Sequence, residues 1–131
     1  MLGRIVAVGL LGFALPVAAQ EVDCANAEAQ VELTYCAEQD WNAADKALNA
    51  AYKDAVAAAK EIDAGLDAKD QGALDYLKQA QRDWIKFRDD ACAAEGYAMH
   101  GGTGEPMLIY GCRARLTRER TEGLYYVGSQ D

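Results

Sequence analysis

Four cysteines, at positions 24, 36, 92 and 112, carry most of the reactive chemistry in this 131-residue chain. Thiols can hold zinc, act as nucleophiles or pair as disulfides. His100 is the only histidine, so a mixed His/Cys zinc cluster cannot be assembled, least of all from oxidised thiols. Asp89 and Asp90 would suit general acid/base work, but residues one apart on a helix point in different directions. Ser129 is the only serine and stands near the C-terminus, so a serine triad cannot be built. These residue types point away from an enzyme, and no catalytic set, metal site or cofactor is expected. Disulfide chemistry remains, and that depends on the compartment.

The first nineteen residues address the compartment. Arg4 gives a short basic start, residues 5–15 are uncharged and apolar, and Pro16 breaks the run before Val17-Ala18-Ala19. This pattern is a secretory signal peptide, expected to be cut between Ala19 and Gln20. A membrane anchor would need roughly 20 apolar residues. A lipid anchor would need a cysteine directly after the apolar run, whereas Cys24 follows four other residues. The mature chain, residues 20–131, is then a single periplasmic or secreted domain without a membrane span. An exported chain with four cysteines is expected to form two disulfides. With Arg4 removed, 12 basic residues face 21 acidic ones, a net charge of −9. That sign disfavours nucleic acid and anionic membrane and favours a basic protein partner.

The elements that position these residues are helical. From Asn26 to Ile62 the chain is rich in Ala, Glu, Gln, Lys and Leu, with neither proline nor glycine. Leu33, Ala37, Trp41, Ala44, Leu48, Ala55, Ala59 and Ile62 repeat at helical spacing, with Tyr52 filling one wider step. Asn26 is the expected N-cap, and Gly65 marks the turn. A second helix spans about Asp70 to Gly96, starting just after Gly72 if that glycine is excluded. Leu74, Leu77, Gln81, Trp84, Arg88 and Ala91 share one of its faces. Gly96, Gly101, Gly102, Gly104 and Pro106 form a loop. A third helix, with Leu108, Cys112, Leu116 and Leu124 inward, runs to about Tyr126. The expected fold is all-α, a small three-helix antiparallel bundle with a long first helix.

Helical rise bears on the disulfides. Cys92 and Cys112 each lie ten residues from position 102, level on antiparallel helices, which favours 92–112 and leaves 24–36. Cys36 and Cys92 also lie near one end of the bundle, and four cysteines allow three connectivities.

The densest run, Ala80-Gln81-Arg82-Asp83-Trp84-Ile85-Lys86-Phe87-Arg88-Asp89-Asp90-Ala91-Cys92, reads A-Q-R-x-W-x-x-F-R-D-x-x-C. It resembles the signature of the LprI-type lysozyme inhibitor domain family. Cys24 followed by Cys36-Ala37, then Ala44-Asp45, Leu48-Asn49 and Tyr52-Lys53, is similar to that family in the same order. So are the Gly101-Gly102-Thr103 loop and Cys112, Leu116-Thr117, Arg120 and Leu124. One position departs: Ala29 stands where the family has Thr in a Thr-Gln-x-Glu capping box, so the first helix is expected to start earlier, at Asn26. The resemblance implies an exported bacterial protein that binds another protein, and for at least one member that protein is lysozyme. It implies neither cofactor nor enzymatic activity.

Several residues carry two readings. Trp84 and Phe87 lie on the periodic face and are expected in the core; the alternative is that they anchor a partner. Gln81 and Arg88 read as a polar clasp, with Asp45 a candidate partner for the guanidinium; the alternative is that Arg88 and Asp89 are presented outward. His100, Gly101, Gly102, Thr103 and Glu105 are either a solvated turn or a protruding loop that enters a lysozyme cleft. Arg113, Arg115, Arg118 and Arg120 read as a solvated face, with Arg115–Glu119 and Arg118–Glu122 at i,i+4. The first functional expectation is non-covalent inhibition of a basic lysozyme. The second is an envelope accessory module with a different protein partner.

Overall fold

The computed structural model describes residues 21–129. The expected signal peptide and its cleavage point lie outside the described residues. Three helices follow in order: α1 (Gln30–Ala64), α2 (Ala73–Gly96) and α3 (Glu105–Leu124), with one 3-10 turn at Tyr97–Met99 after α2. No strand occurs among the described residues. None of their helices is long and apolar enough to cross a membrane.

The first helix starts later than its sequence suggests. Asn26 does not cap it: its side chain donates to the Asp23 carboxylate at 2.7 Å, in a turn ahead of the helix. Ala29 holds the N-cap position in an extended conformation. The Glu32 carboxylate accepts the Ala29 N–H at 3.3 Å. Half of a capping box therefore works without the hydroxyl, and an earlier start is not needed. At the other end of α1, the Asp63 carboxylate accepts the N–H groups of Gly72, Ala73 and Leu74 at 2.9, 2.9 and 3.1 Å. These are unpaired first-turn donors of α2, so a residue of α1 caps the next helix. Pro106 sits in the first turn of α3, where its missing N–H costs nothing.

The arrangement is up-down-up. α3 runs parallel to α1, with Gln30 against Met107 near one end and Asp40 paired to Arg118 farther along. α2 runs antiparallel to both. The core joins Leu48, Ala51, Ala55 and Ala59 of α1 to Leu77 of α2 and Leu124 of α3. Buried alanines on α1, and Ala114 on α3, keep the helix surfaces shallow, which permits close approach. Gly96 serves the same end: a Cβ there would lie 2.6 Å from Ile109 Cγ1.

Two disulfides complete the bundle, Cys24–Cys36 and Cys92–Cys112. They occupy different environments. Cys92 and Cys112 are 0 % and 3 % exposed and tie α2 to α3. Cys24 is exposed and holds the segment before α1 against that helix.

Candidate functional site

The sequence-derived site residues fall into two groups. The first is a clasp in the middle of the bundle. Arg88 is buried on α2, and its guanidinium carbon lies 5.4 Å from the Trp41 ring centre and 5.2 Å from that of Trp84. Arg113 of α3 lies 4.9 Å from the Trp41 ring. Such stacking stabilises a cation by about 0.5–2 kcal/mol, more as water is excluded. The charges are met by carboxylates, Asp89 at 3.0 Å from Arg88 and 3.3 Å from Arg113, and Asp45 at 3.8 Å from Arg88. Gln81, also buried, accepts from Arg120 Nε at 3.0 Å. Burial pulls the Arg120 pKa below its ordinary value. All three helices meet here, and Asp89 is turned to its own arginines.

Two expectations change at this point. Trp84 packs against the core, but Phe87 is 59 % exposed and lies on the outer side of α2. One residue step is 100° of helix, so a position beside the inward stripe of Gln81, Trp84 and Arg88 can face water. Arg118 pairs with Asp40 across helices instead of with Glu122, and Arg115 reaches Glu95 of α2 at 2.6 Å as well as Glu119 at 3.5 Å. The α3 arginines are cross-helix ties as well as a solvated face.

The second group is the loop between α2 and α3. His100 stacks flat on Tyr97, with ring centres 4.2 Å apart. Glu105 accepts the Gly101 N–H at 2.8 Å and stands 3.0 Å from His100 Nδ1. These contacts hold the Glu105 carboxyl below its usual range, the His100 bond first and the Gly101 N–H second. Gly101 has φ +77°, the left-handed region that glycine enters without strain. The loop is a braced turn. His100, Gly101, Gly102 and Thr103 are exposed, while Glu105 is drawn inward to hold it.

An open groove of about 640 Å³ lies beside this loop, lined by Gln30, Val31, Thr34, Tyr35 and Glu38 of α1 and by Thr103. Val31 and Tyr35 are 76 % and 42 % exposed. The loop and the start of α1 thus form one end of the bundle. Among the described residues, no cluster of His, Cys, Asp or Glu could hold a metal ion.

Comparison with known proteins gives this geometry a family. The sequence profile described as "Lysozyme inhibitor LprI" matches residues 23–124. The chain belongs to the LprI family. At family level that carries the role of lysozyme inhibitor. The LprI domain is 49 % identical over 107 residues to protein R02472 of Rhizobium meliloti (strain 1021), covering 79 % of this chain and 77 % of that protein. It is 36 % identical over 58 residues to YecT of Escherichia coli (strain K12), covering 44 % of this chain and 36 % of that one. A crystal structure of a DUF1311 family protein from Pseudomonas putida KT2440 shares the fold, with a TM-score of 0.65 at 24 % identity, covering 76 % of this chain and 94 % of that one.

In this LprI domain the inward stripe of Leu33, Ala37 and Trp41 lies on the side of α1 away from the groove-lining Val31 and Tyr35. Val31 and Tyr35, one turn apart and off that stripe, are apolar residues at positions that should be polar. That mismatch was the available signal for the groove.

Proposed function

We propose that this protein acts outside the cytoplasm as a non-covalent inhibitor of lysozyme. The observation that carries the reading is the match to the lysozyme-inhibitor family over residues 23–124, nearly the whole described domain. Charge supports it. The chain has 21 acidic against 13 basic residues, and lysozymes are strongly basic, so encounter is steered and weakens as salt screens it. The braced loop at His100, Gly101, Gly102 and Thr103 contributes to the contact as a rigid projection, which loses little entropy on binding. Glu105 braces the loop from within, while Asp89 stays paired to Arg88 and Arg113 in the clasp. The apolar leader pattern at residues 1–19 supports export.

The test is hydrolysis of bacterial cell wall by chicken, goose and invertebrate-type lysozymes with increasing amounts of the oxidised protein. Inhibition that saturates near one equivalent supports the reading. Undiminished hydrolysis by all three at low salt and excess protein rules it out.

A further inference from the structure

The groove beside the glycine loop combines three features that occur together at this end of the bundle. Its long wall is apolar: Val31 and Tyr35 stand one turn apart on the outer side of α1, away from the core. Its rim carries Glu38, which makes no ion pair among the described residues. The stretch around it is acidic without interruption. Residues 21–45 contain seven carboxylates and no basic residue, Lys46 being the first lysine after the leader. Four of those carboxylates are committed elsewhere: Asp40 to Arg118, Asp45 to Arg88, Glu32 to the start of α1 and Asp23 to Asn26. Glu38 is not.

We infer that this groove is the surface on which a basic lysozyme docks, with an apolar side chain of the enzyme seated between Tyr35 and Thr103 and a lysine or arginine paired to Glu38. The inference rests on the proposed function and assigns it to a place. Charge complementarity selects the occupant. A second copy of this chain would bring Glu38 and the acidic stretch against themselves, and like charges at close range oppose association. A cationic surface meets them favourably. The apolar wall supplies what charge alone does not, desolvation of the ion pair and a central anchor of the kind that dominates binding. The Cys24–Cys36 bridge, one residue from Tyr35, holds the adjacent segment to α1 and keeps the rim in place before the partner arrives.

The experiment titrates one lysozyme that the wild-type protein inhibits against three variants of the oxidised protein. Val31→Ser with Tyr35→Ser removes the apolar wall; Glu38→Lys reverses the rim charge. Tyr76→Ser, at an 81 % exposed site on α2 outside the groove, is the control. All are surface changes, and retained helical circular dichroism checks that each is folded. The expected result is a midpoint raised by about tenfold or more for the first two, a weaker salt dependence for Glu38→Lys, and no more than a twofold change for Tyr76→Ser. Wild-type inhibition retained by both groove variants overturns the groove while leaving inhibition intact. Absence of wild-type inhibition against all three lysozyme types overturns the functional reading, and the groove with it.

Discussion

The Asp63 carboxylate accepts the Gly72 N–H at 2.9 Å, so the last turn of α1 caps the first turn of α2 across the connecting turn. Ala73 and Leu74 donate to the same carboxylate. The bond from Gly72, then those from Leu74 and Ala73, hold its pKa below the ordinary 3.8. A folded pKa below the unfolded one means that this stabilisation is complete above the unfolded value and is lost as pH falls through the folded one. Asp63→Ala is expected to lower the thermal midpoint at pH 7 and to lower it less at pH 3. An equal deficit at both pH values, in thermal scans followed by circular dichroism, would show that the charge on Asp63 contributes nothing.

The clasp gives a second expectation. Arg88 is sandwiched between Trp41 and Trp84 and faces Asp45 and Asp89, so Arg88→Ala removes packing as well as charge. The expected loss is about 2 kcal/mol, below that of a fully buried pair because both acids are 42 % exposed. Arg88→Lys should recover less than half, since an ammonium cannot stack and fork at once. Chemical denaturation measures both. Full rescue by lysine would reduce the clasp to a point charge.

Thr117 offers a stabilising change. It is fully buried on α3, and its hydroxyl has no hydrogen-bond partner among the described residues. Thr117→Val keeps the shape and removes the unmet polar group, with an expected gain of about 1 kcal/mol. A loss of stability in the same denaturation assay would mean that a bound water satisfies the hydroxyl.

The disulfides should open in order. Cys24 is exposed, whereas Cys92 and Cys112 are sealed between α2 and α3. Thiol–disulfide exchange needs access to sulfur. Under mild reductant without denaturant, alkylation followed by mass spectrometry is expected to label Cys24 and Cys36 first, and Cys92 and Cys112 only on global opening. Simultaneous labelling of all four would contradict this separation.

Much of this architecture was legible in the residues. The stripe from Leu33 through Trp41 to Ala59 specified α1, and the glycines between Gly96 and Gly104 marked the loop. The level positions of Cys92 and Cys112 about that loop pointed to the bridge that forms, although helical rise alone did not exclude Cys36 with Cys92. What stayed hidden depends on which groups meet in space. Asn26 has the chemistry of an N-cap, but Asp23 takes its side chain. Asp63 caps a helix nine residues onward, a relation that no local spacing rule contains. Phe87 lies one step, about 100° of helix, off the inward stripe of Gln81, Trp84 and Arg88, and how far the neighbouring helices cover that flank decides that it faces water. The groove needed two elements at once, Tyr35 from α1 and Thr103 from the loop.

Residual lysozyme activity on bacterial cell wall, titrated with the oxidised protein at low and at high salt, tests inhibition most directly. Expected are stoichiometric loss of hydrolysis at low salt and a higher midpoint at high salt, as screening weakens the acidic face. Hydrolysis that continues unchanged at both salt concentrations, with chicken, goose and invertebrate-type enzymes alike, would contradict it.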